Sequence, residues 1–493
     1  MPFRTVGKFF LNLGGGYYQG AERWAQWARN WVTARARKAD EEILLDRPVL
    51  VERSRSLYRN NAIGRAAINT HNYNTVGRGF TLNLDVDADV LGITPDQKDA
   101  LESLIERKWR NFAESTECDA EGQMNFAEMT GLIGATRLID GEAFAVLKLI
   151  PRTGSLYSLR AKIIDTSIVC NPHGVDNDFL WRDGVRLDVN GRVVGYGFEN
   201  PDRTRYEVPA YGFKSGRRFV LHIFRKEFPG QSRGVPYLAS VMRELRKLEE
   251  YTKAELEAAV VAAMFTAFIK SNDSTALDSP VAHEDGDGTP TVADDEYRLG
   301  PAAIMRLQKG EDVTFANPGR PNTGFAQYVD FMIKIISAAL GIPYEVLMKT
   351  FQSSYSATKG AQNEARKFFA VEKLWLANRW CQPFFEEWLT DEVFAGRIDL
   401  PGFTESLEIR RAYTRAKWVG ETTGSVDLMA ELNASEKLIA LGYSTRQDEA
   451  AQFTGQDWAD NQSKLKRERA IIAAQAQPAP TIPEPAPGTP PNA

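Results

Sequence analysis

Residues 323–340, TGFAQYVDFMIKIISAAL, carry only two charges, Asp330 and Lys334. The spacing predicts a helix, stopped by Gly341 and Pro343. A helix that is apolar on most sides must be buried by more than one neighbour. Any fold for this chain therefore has to surround that helix.

A second long helix is expected upstream. Pro236 opens LASVMRELRKLEEYTKAELEAAVVAAM, in which Leu238, Val241, Met242, Leu245, Leu248 and Tyr251 form an apolar stripe. Arg243, Arg246, Lys247 and Glu250 fall off the stripe, and Glu249 to Lys253 is a favourable i,i+4 pair. Between the two helices the composition changes. Residues 271–297 hold eight acidic residues and no Lys or Arg, which reads as an exposed insertion. Strand-like text, AAIMRLQKGEDVTFANP, follows it.

The first 236 residues are mixed. In residues 17–45, Trp24, Trp27 and Trp31 recur at helical spacing and are followed by Arg35, Arg37 and Lys38. That segment reads as a helix packing its Trp face, or as an arm suited to nucleic acid. The basic N-terminus reads as an extended arm, because it lacks the apolar core of a signal peptide. A helix is expected from Arg55 towards Val76, with Leu57, Ala62, Ala66, Ile68 and Val76 on its apolar side. Gly77 and Gly79 then open a strand, FTLNLDV. Pro95 starts a helix with Leu101, Leu104, Ile105 and Trp109 on one face. Asn125 or a neighbour caps the next helix, and Asp140-Gly141 turns into the strand EAFAVLKLI. From there to Ile223 the text is β-like, with turns at Asp183-Gly184 and Asn190-Gly191.

Beyond the apolar helix, a third long helix is expected from Ala357 to Trp388, kinked at Pro383, and shorter helices fill residues 405–475. The last stretch, QPAPTIPEPAPGTPPNA, reads as a proline-rich tail without fixed structure.

Signs of catalysis are sparse. Ser356-Ala-Thr-Lys359 matches the Ser-x-x-Lys of penicillin-binding enzymes, but Ser463-Lys464-Leu465-Lys466 matches it too, and the Ser-Asp-Asn and Lys-Thr-Gly partners are missing. A serine hydrolase using Ser356 and Lys359 is the alternative reading. The structural one is that Ser354 or Ser356 accepts the free N–H groups that begin the third helix. Asp285, Asp287 and Glu296 are spaced like a calcium loop, but Pro290 stands where that turn needs Gly. Cys118, Cys170 and Cys381 are far apart and read as reduced thiols, and four histidines are scattered. There is no phosphate-binding loop, so the chain is not an ATP-driven motor. No metal and no cofactor is expected. The longest uncharged apolar run, Ala258 to Ile269, is about twelve residues, too short to span a bilayer. Net charge is −5, so polyanion binding would have to come from local patches.

Several stretches, in order, resemble tailed-phage portal proteins, and the local text is similar to the lambda-type portal family. They are Arg55-Ser-Leu-Tyr-Arg-Asn-Asn61 with Val76-Gly77-Arg-Gly79, Cys118-Asp119 with Asp140-Gly-Glu-Ala-Phe144, Val220-Leu-His-Ile-Phe224, Phe228-Pro-Gly-Gln-Ser-Arg-Gly-Val-Pro236 and Ser354-Tyr-Ser356. The resemblance implies an α+β fold. It would have an N-terminal arm (1–50), a mixed wing (51–236), two stem helices (237–268 and 323–342) flanking a small clip (269–322) and a tunnel loop (343–356). A helix behind that loop (357–400), a helical crown (401–475) and the tail (476–493) would follow. It also implies a structural ring of about twelve copies at one capsid vertex, not an enzyme. DNA would pass through its channel, with partners in the terminase large subunit, the head–tail connector and the major capsid protein, and none in a membrane. The protein would belong to the virion, and to the host cytoplasm during assembly. Lys349, Gln352, Ser353, Ser354 and Lys359 would be the residues near passing DNA.

Overall fold

The computed structural model describes residues 38–263, 267–271, 311–315, 324–351, 354–420, 428–454 and 458–475. The Trp-bearing arm before residue 38, the acidic stretch 272–297 and the tail after 475 lie outside them. So does the Asp285–Glu296 frame. Helices and sheets are both present, as an α+β chain requires.

Two helices open the described chain, α1 (Ala39–Asn60) and α2 (Ala62–Thr75). The sequence reading ran a single helix through this point. The break is at Asn61, whose extended backbone ends α1 and whose side chain accepts the Gly64 N–H to cap α2. Leu57, Ala67, Ile68 and Val76 are the buried apolar residues, while Ala62 is exposed. Gly79, at φ 104°, leads into β1 (Phe80–Leu84). A short α3 (Ala88–Leu91) precedes α4 (Pro95–Glu114), which Thr94 caps in a reciprocal box with Gln97. Asn125 and Glu128 make a second such box for α5 (Phe126–Asp140).

Gly141 ends α5 in the left-handed region and starts β2 (Glu142–Leu149). β2 is the middle of a three-stranded sheet between β3 (Leu159–Ile164) and β8 (Val220–Phe224), antiparallel to both. Strand period two sends its side chains to two different cores. Ala143, Ala145 and Leu147 face an aromatic core, whereas Phe144 and Val146 face a β core. The β core is shared with a four-stranded antiparallel sheet of β4 (Trp181–Arg182), β5 (Val185–Leu187), β6 (Val193–Glu199) and β7 (Arg205–Pro209).

A short turn, Ala239–Val241, precedes α6 (Met242–Ala263). Arg246 pairs with Glu250 at 2.9 Å and Lys253 with Glu257 at 3.8 Å. In place of the expected Glu249–Lys253 pair, Glu249 accepts from Asn61 at 3.3 Å and lies 3.6 Å from Arg246. β9 (Ala267–Ser271) and β10 (Glu311–Phe315) pair antiparallel and close the insertion at its base.

The apolar helix is α7 (Phe325–Leu340), followed by α8 (Tyr344–Met348) and α9 (Tyr355–Leu376). The third helix was expected to run from Ala357 to Trp388, whereas α9 itself ends at Leu376 and helix continues to Phe394. A π turn at Ala377–Cys381 joins α9 to α10 (Gln382–Phe394). The wider turn falls just before Pro383, which cannot donate to the preceding turn. The chain then makes α11 (Leu407–Thr414) and β11 (Ala416–Gly420). The sequence reading put helices only in this region, yet β11 pairs with β1, Leu82 opposite Trp418. α12 (Leu428–Ala440), α13 (Arg446–Thr454) and α14 (Trp458–Gln475) complete it.

The aromatic core stacks Trp109, Phe112, Phe126, Trp380, Phe384, Phe385 and Trp388. Each such ring contributes roughly 1.5–3 kcal/mol by burial. A separate helical core joins α1, α2, α6, α7, α8 and α9 through Leu57, Ile68, Leu245, Ile336, Leu347 and Phe369.

Candidate functional site

The segment between α7 and α9 is held at both ends and exposed in the middle. Gly341, at φ 70°, ends α7, and its N–H bonds back to the Ala338 carbonyl at 3.3 Å. The Tyr237 hydroxyl donates to the Leu340 carbonyl at 2.5 Å. Ile342 and Leu347 are buried in the helical core, so α8 is anchored through them. Lys349 then takes a left-handed backbone at φ 56°, which a residue with a Cβ adopts at a cost of about 1 kcal/mol. Its side chain is exposed, as is Phe351.

Of the residues expected near DNA, Lys349 is on this exposed turn. Ser354 is the N-cap of α9, its hydroxyl accepting the Ala357 N–H at 3.4 Å. Lys359 is half-buried on the next turn. Gln352 and Ser353 lie outside the described residues. Ser356 is exposed in the first turn of α9, with Lys359 three residues on. Ser354 does the capping that the structural reading of this stretch required.

Behind the segment, α9 is tied to the α5–β8 side by a buried charge cluster. Glu372 accepts from Arg137 at 2.9 Å and also contacts Arg225. The Arg137 guanidinium lies over the Trp375 ring at 4.8 Å. His71 is 3.7 Å from Glu372 but is no true ion-pair partner. Burial, then the Arg137 charge, push His71 well below its ordinary range, and two guanidiniums already balance Glu372.

A second cluster surrounds Glu142. It accepts from Arg47 at 2.5 Å, from Arg233 at 2.6 Å, from the Gly234 N–H at 2.8 Å and pairs with His222 at 3.0 Å. Burial alone would raise the Glu142 carboxyl, but Arg233 and Arg47 overcome it and hold the group well below its usual range. Nearby, Asp140 takes a two-pronged bond from Arg55 at 2.8 and 2.6 Å. Asp40 accepts the Ser232 N–H and hydroxyl, both at 2.8 Å. Gly141 and Gly234 let the two backbones touch, since a Cβ on Gly141 would sit 2.6 Å from the Val235 nitrogen.

Four of the stretches that carried the resemblance therefore meet at one place. Arg55, the Asp140–Glu142 turn, His222 and the Ser232–Gly234 loop form the two linked groups around Asp140 and Glu142. Nothing in the spacing of Arg47, Asp40 or Glu372 marked them as members of such clusters, because their partners lie far away in sequence. Cys118 and Cys381 are buried free thiols, pushed up by burial, and Cys170 is half-buried. Among the described residues no group of three or more His, Cys, Asp or Glu is placed to hold a metal ion.

The family model described as phage portal protein, lambda family, matches residues 25–373. The portal protein of Escherichia phage N15 is 25% identical over 485 residues, covering 94% of this chain and 91% of that protein. Portal protein B of Escherichia phage lambda is 25% identical over 476 residues, covering 92% and 89%. Among solved structures, a chain of the neck of an empty GTA particle computed with C6 symmetry overlaps with a TM-score of 0.42 at 14% identity, over 81% of this chain and 92% of that one. An HK97 family phage portal protein from Corynebacterium diphtheriae overlaps at 0.35 and 13% identity, over 69% and 93%. At such TM-scores the overlaps carry no argument. The family match over most of the chain does, and by it the chain belongs to the lambda family of phage portal proteins.

Proposed function

We propose that copies of this chain close into a ring of about twelve at one capsid vertex, and that double-stranded DNA enters and leaves through its central channel. The observation that carries this reading is on α7. Ile333, Ile336 and Leu340 are buried against the chain's own helical core, while Tyr328, Phe331 and Ile335 are 46%, 60% and 42% exposed. The second set recurs at helical spacing and makes a second apolar face. Among the described residues no helix is long and apolar enough to cross a membrane. A head-to-tail contact with a neighbouring copy covers such a face and, repeated with closure, makes a ring.

In this reading α6 and α7 are stem helices, the β9–β10 pair is the base of the clip, and residues 343–356 form a tunnel loop. Lys349, Gln352, Ser353, Ser354 and Lys359 make weak, sequence-independent contacts with passing phosphates. Twelve copies at −5 give a ring of about −60, which favours sliding over sticking. The clip docks the terminase large subunit during packaging and the head–tail connector afterwards, and the outer surface meets the major capsid protein. Assembly takes place in the host cytoplasm. The role is structural, as in the family, and not catalytic.

Light scattering with negative-stain images of the same sample tests the reading. A closed particle of about twelve chains with a central hole is expected. A monomer or dimer that persists at high concentration, with and without capsid protein, would sink it.

A further inference from the structure

A groove of about 710 Å³ runs between α1 and α6, larger than the cleft of about 470 Å³ beside Arg55 and Asp140. Its floor is apolar, formed by Leu50, Leu57 and Met242, the last two being the outer face of the helical core. Its rim is basic, formed by Arg53 of α1 and by Arg243 and Lys247, one helical turn apart on α6. These three cations are exposed, and none forms an ion pair with any described residue. One acid, Glu249, also lines the groove, but it is engaged with Asn61 at 3.3 Å and with Arg246 at 3.6 Å, and Glu250 pairs with Arg246 at 2.9 Å.

The apolar strip extends beyond the cavity. Leu45 and Val49 are 70% and 45% exposed and lie on the same side of α1 as Arg53 and Ser56. From Leu45 to Leu57 the strip is about 18 Å long, enough for about three turns of an incoming helix. A chain with a net charge of −5 that leaves three cations unpaired around an apolar groove presents local complementarity to one kind of ligand.

We propose that this groove docks an acidic amphipathic helix of another protein. Its aliphatic side chains fill the floor, and its carboxylates meet Arg53, Arg243 and Lys247. Duplex DNA fits the features less well, because it offers phosphates to the rim but no apolar surface to the floor. The groove is lined by one chain, and the proposal requires that a neighbouring copy does not cover it.

The test is fluorescence anisotropy with the full-length protein. The probe is a labelled peptide of about eighteen residues with Glu on one helical face and Leu on the other. A scrambled peptide of the same composition and an unlabelled duplex of about twenty base pairs serve as competitors. Saturable binding of the amphipathic peptide is expected, weakened about tenfold or more in Arg243→Glu/Lys247→Glu. Leu50→Ser weakens it as well, with unchanged circular dichroism in both variants, and the scrambled peptide does not compete. Three results overturn the proposal. The duplex displaces the peptide and outbinds it. Binding is absent, or unchanged by both variants. The variants reduce the mass of the particle in solution, which makes a second copy the occupant.

Discussion

Arg137 and Glu372 stand 235 residues apart in sequence and meet at 2.9 Å inside the protein. The bond joins α5, which leads into the central sheet, to α9, which begins at the exposed segment. The carboxylate is almost wholly buried, and it serves Arg225 as well. Removing one partner of a buried pair leaves an uncompensated charge and costs roughly 3–5 kcal/mol. Glu372→Ala should therefore lower the thermal midpoint strongly. Arg137→Met in the same chain should recover part of the loss. A double variant no better than Glu372→Ala would show that Arg225, not Arg137, is the main partner.

The two buried histidines make stability depend on pH. Burial, joined by the Arg137 charge, holds His71 well below its ordinary pKa. Burial also lowers His222, although its bond to Glu142 pulls the other way. Both are neutral in the fold, whereas the unfolded chain takes up protons near pH 6.5. Stability is thus complete above that value and falls as the pH drops below it. The loss from pH 6.5 to 5.5 should be about 1 kcal/mol for His71, and His222 adds to it in the same direction. Thermal midpoints across this range check it, and His71→Gln should be less stable at pH 7.5 but flatter. A wild-type midpoint that does not move between pH 7 and 5.5 would contradict the assignment.

Gly141 and Gly234 should tolerate no side chain. A Cβ on Gly141 would meet the backbone of Val235, and one on Gly234 would come within 2.9 Å of the Glu142 Cβ. Gly141 also carries a φ of 88°. Gly234→Ala should cost more than about 3 kcal/mol, because backbone cannot yield as a side chain does. Soluble yield and unfolding midpoint measure this. Gly92→Ala, whose Cβ would meet nothing within 4 Å, is the control for left-handed strain alone.

The exposed face of α7 gives a prediction about assembly. Phe331→Glu with Ile335→Glu should leave the single chain folded, since both side chains already face solvent there. Light scattering should then show the particle reduced to single chains. Rings of unchanged mass would mean that this face is covered by something other than a neighbouring copy.

The serines at the start of α9 separate capping from chemistry. Ser354 accepts the Ala357 N–H, and Ser356 is merely exposed in the first turn. Ser354→Ala should cost about 0.5–1 kcal/mol, at the low end because the bond is long. Ser356→Ala should change stability by less than that. The reverse order would show that Ser356 is the cap.

Features set by neighbours in the chain were legible in the sequence. The Asn125 cap, the Gly141 turn, the strand after Gly79 and the apolar character of α7 each depend on a few adjacent residues. Three features were not. The break at Asn61 replaced a continuous helix because one side chain closes a cap that costs little to form in either arrangement. The strand Ala416–Gly420 has no alternating pattern strong enough to outweigh its helical surroundings, and it exists because Phe80–Leu84 offers it an edge. The charge clusters around Glu142 and Glu372 depend wholly on tertiary proximity. The resemblance pointed to Asp140–Phe144, Val220–Phe224 and Phe228–Pro236 as separate stretches, and only the fold shows that they are one contact.

The pairing of β1 with β11 has a mechanical consequence. Everything from α6 to α9, including the turn at Lys349, departs from one body and comes back to the same one. The ladder fastens residues 80–84 to residues 416–420, so the chain between them is a closed loop and not a free end. Fraying that starts beyond residue 420 must break this ladder before it reaches the segments inside the loop.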